Sequence, residues 1–262
     1  MNAESLDAVL WDMDGTLIDS EPLWLRAELA MLERFGIEMT AATHERLIGS
    51  GLWEAAEHFR ELGVPMPADD IVAEWVVSVT QGLHEAPLDW RPGARELLRS
   101  LTAAGVPCAL VTMSTRSLAE AVIASLEPGM FQAVIAGDEV TFAKPHPEPY
   151  LLGAAALGVE ISRCVALEDS PTGLRSAYAS GAVAVGIPNL LPLTEEPSHQ
   201  LLPTLAGVDA AELRNLFHAV RTQVTDSAIH SAHNADMSAS TAILDHNIDT
   251  TRHLSSAEEA MQ

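Results

Sequence analysis

The chain has 262 residues, 48% of them hydrophobic, and a formal net charge of −23 at pH 7. This length and hydrophobic content are enough to bury one sizeable core, in one large or two smaller domains. The excess of 37 acidic over 14 basic residues argues against binding to nucleic acid or to an anionic membrane surface. Without a signal-peptide pattern or an apolar run of about 20 residues, a soluble cytoplasmic protein is expected.

An apolar run from Leu6 to Trp11 opens the chain and predicts a buried β-strand. Asp12 and Asp14 follow at once, so we expect the strand to carry two carboxylates to the end of a sheet, where α/β proteins bind ligands. Gly15 then permits a close backbone approach, and turn N–H groups here can form an anion-binding nest.

The next segment, from residue 21 to residue 90, has helical periodicity and no evident strand. Its helices are predicted at Leu23–Phe35, His44–Ile48, Leu52–Leu62 and Asp69–Gly82. A helical insert after the first strand is therefore expected, in which Trp24, Trp53 and Trp75 are predicted to be core residues rather than ligand contacts.

From about Arg91 the pattern changes to strands that alternate with helices, which predicts a parallel, doubly wound α/β sheet. The predicted strands are Val106–Met113, Ala133–Ala136, Cys164–Leu167 and Val183–Ile187, and the helices are Gly93–Ala104, Ser117–Leu126, Pro147–Leu157 and Pro171–Ser180. We expect an α/β core of residues 1–20 and 91–220, interrupted by a helical cap of residues 21–90. Residues 221–262 are polar and are expected to form a flexible tail.

Further polar residues follow the later strands of this predicted sheet. Thr112 follows one strand, and Glu168 with Asp169 follows another. Lys144, the only lysine among the 14 basic residues, comes just before a predicted helix. Because parallel strands end at one edge, these side chains can converge there with the two acids of the first strand.

Up to four carboxylates at this edge call for a compensating cation, since crowded carboxylates are unstable when all are ionised. Lys144 supplies one positive charge. A hard divalent ion with oxygen ligands, Mg²⁺, would relieve the rest, and Mg²⁺ favours a phosphate as its other partner. The residues therefore favour a magnesium site for a phosphorylated ligand.

These residues form four ordered motifs: Asp12-x-Asp14-Gly-Thr-Leu, Thr112, Lys144-Pro-x-Pro-Glu-Pro-Tyr and Glu168-Asp169-Ser-x-x-Gly173. Together they resemble the haloacid dehalogenase superfamily, in the branch of β-phosphoglucomutase and small sugar-phosphate phosphatases. The resemblance extends over about residues 6 to 190, and the helical insert lies where this family carries its α-helical cap.

The resemblance implies a role for each site residue. Asp12 is expected to be the nucleophile that forms an aspartyl-phosphate, and Asp14 to protonate the leaving oxygen and then activate water. Asp12, Asp169 and the backbone carbonyl of Asp14 would hold Mg²⁺, with Glu168 in support. The residues expected to hold the phosphoryl group are Met13, Gly15, Thr112, Met113, Ser114 and Lys144.

The leading interpretation is a Mg²⁺-dependent phosphomonoesterase, monomeric or weakly dimeric, that acts on a small phosphorylated metabolite such as a sugar phosphate. The cap loop from Ile48 to Trp53 is expected to face the site. The alternative is a β-phosphoglucomutase-type mutase. Mutases of this branch are expected to have a histidine shortly after the first motif and a basic residue in the cap loop. Here Glu21-Pro-Leu-Trp24 contains no histidine, and Trp53 stands near the position where the basic residue is expected. A dehalogenase is a further alternative, but it would need no metal and no second acid, so Asp14 and the pair Glu168-Asp169 argue against it. A non-catalytic binding protein on this fold could have lost the catalytic acids, yet every one of them is present.

Overall fold

The computed structural model describes residues 5–47 and 50–224, and six of its segments are β-strands. They are β1 (Ala8–Trp11), β2 (Cys108–Val111), β3 (Ala133–Ile135), β4 (Cys164–Glu168), β5 (Val183–Gly186) and β6 (Gln200–Leu201). All pair in parallel in the order β3-β2-β1-β4-β5-β6. The predicted parallel α/β sheet is confirmed, with the first strand at its centre.

The register of the central strands aligns their carboxyl ends. Trp11 of β1 is paired with Leu110 of β2 and with Leu167 of β4. Every residue of β1, β2, β4 and β5 is buried, as expected where both faces of a parallel sheet are covered. The residues that follow β1, β2 and β4 therefore leave the sheet side by side at one edge.

Eight helices with defined ends lie in the described part of the chain. They are α1 (Glu21–Arg34), α2 (Ala41–Leu47), α3 (Leu52–Leu62), α4 (Ala68–Glu85), α5 (Ala94–Ala103), α6 (Arg116–Ala124), α7 (Glu148–Leu157) and α8 (Pro171–Ser180). Helix α7 packs against β1, β2 and β3, and α8 packs against β4 and β5. Their apolar faces meet alternate strand residues such as Leu10 and Ala166 in one buried cluster that also contains Tyr150.

Helices α1 to α4 form the segment inserted between β1 and α5. Helix α4 packs against both α1 and α3, and the Phe59 and Trp75 rings meet edge to face at 4.7 Å. The segments that lead into and out of this insert lie side by side, because Asp19 N–H donates to the Asp89 carbonyl at 2.8 Å. Residues 1–218 group as one unit and 219–262 as another, so the division into a core and a cap stays a prediction.

The predicted helices and strands agree best with the structure where the apolar pattern of the sequence is strong. Helices α3 and α8 have the predicted ends. Strands β1, β2, β3 and β5 are shorter than predicted by one to four residues, whereas β4 is one residue longer and includes Glu168. Strand β6 and a helical stretch that begins at residue 210 were not predicted. The predicted tail from residue 225 onward lies outside the described residues. No helix in the described part of the chain is long and apolar enough to cross a membrane.

Candidate active site

Three carboxylates and one ammonium group meet at the carboxyl end of the sheet, and we call Asp12, Lys144, Glu168 and Asp169 the edge cluster. Lys144 Nζ donates to Asp12 Oδ1 at 2.7 Å, to Glu168 Oε1 at 2.6 Å and to the Val111 carbonyl at 2.9 Å. Burial alone would lower the pKa of Lys144, but the two carboxylates raise it above its ordinary value. Lys144 therefore stays charged although its side chain is only 4% exposed.

Glu168 is the most fully bonded carboxylate of the edge cluster. Besides Lys144, its Oε1 accepts from the Tyr150 hydroxyl at 2.6 Å, and its Oε2 accepts from Ser170 Oγ at 3.2 Å. A Cβ on Gly173 would lie 1.9 Å from Oε1, so only glycine lets α8 approach this closely. Glu168 is thus held in place by the protein on both oxygens.

Asp169 is positioned by the turn that follows β1. Thr16 Oγ1 donates to Asp169 Oδ1 at 3.1 Å. Gly15 has φ +84°, and a Cβ at this position would lie 2.1 Å from Asp169 Oδ2. The Gly15 N–H already donates to the Ile18 carbonyl at 2.8 Å. Gly15 therefore permits a close approach of Asp169 to the turn, whereas the predicted approach of its backbone to phosphate stays a prediction.

The negative charge of the edge cluster exceeds its positive charge. Carboxylate oxygens of Asp12, Glu168 and Asp169 lie within 4.8 Å of one another, and Lys144 supplies a single positive charge. Burial and then Glu168 raise the pKa of Asp12, while burial, Asp12 and Glu168 raise the pKa of Asp169. Hard oxygen donors with uncompensated charge are the ligands that divalent cations prefer, so these three residues could hold a metal ion.

Asp14 has surroundings unlike those of Asp12, although only one residue separates them. Its Oδ1 accepts from Ser20 Oγ at 2.5 Å and from Trp24 Nε1 at 3.2 Å. Its Oδ2 accepts from Ser114 Oγ at 2.7 Å and from Thr112 Oγ1 at 3.3 Å. Four neutral donors thus hold Asp14, two from the start of the inserted helices and two from the end of β2.

Sequence reasoning missed four of these partner residues, namely Thr16, Ser20, Trp24 and Tyr150. Thr16 and Tyr150 lie inside the motifs, which was the available signal for them. Ser20 directly precedes α1, a position where a serine usually caps the helix, but its side chain makes no capping bond and donates to Asp14 instead. Trp24 is buried as a core residue would be, yet its indole N–H donates to Asp14.

The two methionines predicted to bind phosphate have other contacts in this structure. The Met13 side chain is fully buried, and its carbonyl accepts from the N–H groups of Leu17 and Ile18. Met113 Sδ accepts from the Lys144 N–H at 3.4 Å. Any contact of Met13 with a phosphoryl group would have to come from its backbone, so this role stays a prediction.

A cavity of about 530 Å³ opens above the edge cluster. Asp12, Asp14, Thr112, Ser114, Lys144 and Asp169 line it from the sheet, and Glu21, Trp24 and Glu28 line it from α1. The loop that was expected to face the site contributes residues 50–53, and Trp75 also lines the cavity. Residues 48 and 49 of that loop lie outside the described part of the chain.

Comparison with known proteins agrees with this geometry. Residues 6–181 match the family described as haloacid dehalogenase-like hydrolase. Hexitol phosphatase B of Escherichia coli (strain K12) is 32% identical over 189 residues, which is 69% of this chain and 83% of that protein. Phosphoglycolate phosphatase of the same strain is 31% identical over 209 residues, which is 70% of this chain and 82% of that protein.

A solved structure is similar over a larger share of the chain. It is that of mutant CbbY from Rhodobacter sphaeroides in complex with xylulose-1,5-bisphosphate, with a TM-score of 0.71 and 28% identity over 79% of this chain and 99% of that one. The family match spans most of the chain and includes all four motifs. The chain is therefore an enzyme that belongs to the haloacid dehalogenase-like hydrolase family.

Proposed function

We propose that this enzyme is a Mg²⁺-dependent phosphomonoesterase that hydrolyses a small phosphorylated metabolite through an aspartyl-phosphate intermediate. The observation that carries this proposal is the contrast between two neighbouring carboxylates. Asp12 lies among charged groups of the edge cluster, whereas Asp14 accepts hydrogen bonds from four neutral donors. Two acids in such different surroundings suit two different roles, one as nucleophile and one in proton transfer.

Asp12 is the proposed nucleophile. One of its carboxylate oxygens forms a bond to phosphorus while the bond from phosphorus to the alcohol oxygen breaks. Asp14 gives its proton to that departing oxygen, so the alcohol leaves uncharged. Lys144, which contacts Asp12 at 2.7 Å, supplies a fixed positive charge beside the phosphoryl oxygens.

Asp14 is proposed to act again in the second step. A water molecule attacks the phosphorus of the aspartyl-phosphate, Asp14 takes the water proton, and the bond to Asp12 breaks to release phosphate. The hydroxyls of Thr112 and Ser114, which donate to Asp14 in this structure, are proposed to turn to the phosphoryl oxygens when substrate binds. This exchange of partners would release Asp14 for proton transfer.

The edge cluster fits Mg²⁺ by its donor set. We assign Asp12, Asp169 and the backbone carbonyl of Asp14 as the residues that would hold the ion. Glu168 is the less suitable direct ligand because the protein already bonds both of its oxygens, so it supports the site instead. When bound, Mg²⁺ supplies positive charge that offsets the negative charge of the phosphoryl group.

The proposed substrate class rests on the similar proteins as well as on the site. Two of them are named as phosphatases of hexitol phosphates or of phosphoglycolate, and the third is solved with a sugar bisphosphate. All three names refer to small phosphorylated compounds. A cavity of about 530 Å³ is in the range that holds ligands of this size.

The test is phosphate release from p-nitrophenyl phosphate and from a panel of phosphorylated metabolites, with and without Mg²⁺. Wild-type enzyme is expected to release phosphate only with Mg²⁺. Asp12→Asn should lower the rate about 10³-fold or more without loss of fold, because an amide cannot be the nucleophile.

The matched control for this substitution is Asp70→Asn, which changes an exposed acid on α4 outside the cavity and should keep the wild-type rate. Substantial activity in Asp12→Asn would contradict the mechanism. Conversion of β-glucose 1-phosphate to glucose 6-phosphate without net phosphate release would indicate a mutase instead.

A further inference from the structure

Helix α1 presents two acids and an indole to the cavity. Glu21, Trp24 and Glu28 are spaced by three and four residues, so they share one side of the helix, and all three line the cavity that contains Asp12 and Asp14. We call these three residues the α1 face. The hydrogen bond from Trp24 to Asp14 holds this face directly beside the proposed proton-transfer group.

The two acids of the α1 face lack partners in the described residues. Within residues 5–47 and 50–224, no hydrogen bond or ion pair reaches the carboxyl group of Glu21 or of Glu28, although both residues are half-buried. Elsewhere on α1, by contrast, Arg34 pairs with Glu74 at 2.6 Å. Glu21 and Glu28 are therefore available to groups that enter the cavity.

The surroundings of the α1 face disfavour negative charge. Burial and then the charge of Glu21 raise the pKa of Glu28 to about 8. Burial, Asp14 and Asp19 raise the pKa of Glu21. Burial and nearby acids already disfavour a negative charge on both carboxyl groups, so a second negative group on a substrate would meet the same burial and repulsion.

Among the described residues, the cavity lining offers no cation that is free to bind a second anionic group. In the described part of the chain, Lys144 and Arg175 are the only lysine or arginine residues that line it. Lys144 is bonded to Asp12 and Glu168, and Arg175 donates to both carboxylate oxygens of Glu196 at 2.6 Å. One phosphoryl group can be bound at the edge cluster, but residues 5–47 and 50–224 offer no unpaired positive side chain in the cavity lining for a second anionic group.

Resting on the proposed phosphatase activity, we infer that the α1 face selects a phosphate monoester whose remainder is an uncharged polyol, and rejects one with a carboxylate or a second phosphate. Hydroxyl groups donate to a carboxylate and also accept from its protonated form, so they suit Glu21 and Glu28 in either state. A site built to bond hydroxyls discriminates strongly against analogues that lack them. Among the similar proteins, this substrate class corresponds to the hexitol type.

The test uses substrates that differ only in charge at the end remote from the phosphate. Sorbitol 6-phosphate and 6-phosphogluconate share a six-carbon chain and differ by a CH₂OH group against a carboxylate. Fructose 6-phosphate and fructose 1,6-bisphosphate form a second pair. We expect kcat/KM with Mg²⁺ to be about tenfold or more higher for the uncharged member of each pair, because juxtaposed like charges are repelled.

Substitutions on α1 then assign the preference to the α1 face. At pH ~9, above the pKa of Glu28, Glu28→Gln and Glu21→Gln each remove a negative charge with little change of shape and should each reduce the preference by about threefold or more. Glu33→Gln removes the same charge from the same helix outside the cavity and should leave the preference unchanged. Both substrates of a pair are measured on one protein sample, so a partly unfolded variant does not alter their ratio.

The outcomes separate this inference from the function on which it rests. Equal or greater kcat/KM for the charged member of each pair overturns the inference alone, as does a preference that both glutamate variants leave unchanged. Absence of phosphate release from all four metabolites and from p-nitrophenyl phosphate overturns the phosphatase proposal and the inference together.

Discussion

The edge cluster and the α1 face both bring carboxyl groups to one cavity, but they differ in what satisfies those groups. Asp12, Glu168 and Asp169 each accept a hydrogen bond from a protein side chain. Glu21 and Glu28 receive none from the described residues. Groups bonded by the protein are positioned before substrate arrives, whereas unbonded groups depend on the ligand. In the proposed function, this contrast separates the residues that perform the reaction from those that select the substrate.

The largest expected effect comes from removing the ammonium of the edge cluster. Lys144→Met leaves Asp12 and Glu168 buried without their shared cation, so the free energy of unfolding in metal-free buffer should fall by about 3–5 kcal/mol. Phosphatase activity should fall about 10²-fold or more. Urea unfolding and phosphate release measure the two effects.

Arg175→Gln is the control for this substitution, because it removes a cation that lines the same cavity but belongs to a half-exposed ion pair. It should cost about 1 kcal/mol or less. Equal losses of stability in the two variants would mean that the buried ion pairs of Lys144 contribute no more to stability than the half-exposed pair of Arg175 does.

The close contact between Gly15 and Asp169 predicts the next effect. Gly15→Ala and Gly36→Ala both place a side chain at positive φ, at +84° and +68°, which costs each about 1–2 kcal/mol. Gly36 has open space around it, whereas a Cβ on Gly15 would collide with Asp169. Gly15→Ala should therefore lower the free energy of unfolding by about 1–3 kcal/mol more than Gly36→Ala does. Similar losses in urea unfolding would show that the turn yields to the extra methyl group.

The hydrogen bond that joins the two regions should matter for catalysis. Trp24→Phe removes the indole N–H that donates to Asp14 and should lower kcat for p-nitrophenyl phosphate about fivefold, the equivalent of ~1 kcal/mol. Trp90→Phe changes an indole that lies outside the cavity, against the Arg95 guanidinium, and should leave kcat unchanged. An unaltered kcat in Trp24→Phe would contradict the proposal that this hydrogen bond from α1 affects the proton-transfer step.

The smallest expected effect is a pH-dependent change in stability at Glu28. Its pKa rises from the ordinary 4.5 to about 8 in the folded chain, so the folded chain holds this proton more tightly than the unfolded chain does. Wild-type enzyme should therefore lose stability as the pH rises through this interval.

Glu28→Gln removes that dependence, so its Tm relative to wild type should be higher at pH ~9 than at pH ~5, by at least about 2–4 °C. Thermal unfolding at the two pH values measures the difference. Glu33→Gln, at an exposed position on the same helix, should show no such trend. If the Tm difference between Glu28→Gln and wild type is the same at both pH values, the folded chain does not raise the pKa of Glu28.

Much of the fold was predictable because strong local patterns agree with the tertiary structure. Helix α8 begins at Pro171 after a Ser170 cap and ends before Gly181, and each signal is local. Strand β6 was missed because two residues that pair only at the edge of the sheet carry no periodic signal. The helical stretch from residue 210 had an available signal, since Leu213 and Phe217 are four residues apart and fully buried.

The sequence by itself determined which chemical groups arrive at the edge of the sheet. Asp12, Thr112 and Asp169 follow apolar runs, and the ends of parallel strands coincide because backbone pairing aligns them. Only the tertiary structure decided which groups contact one another, such as Tyr150 with Glu168 or Trp24 with Asp14. These contacts depend on how a helix is rotated and how closely it packs, and residues far apart in the chain determine both. The same reason explains why the acids of α1 were recognisable as part of the cavity only after the helix was placed.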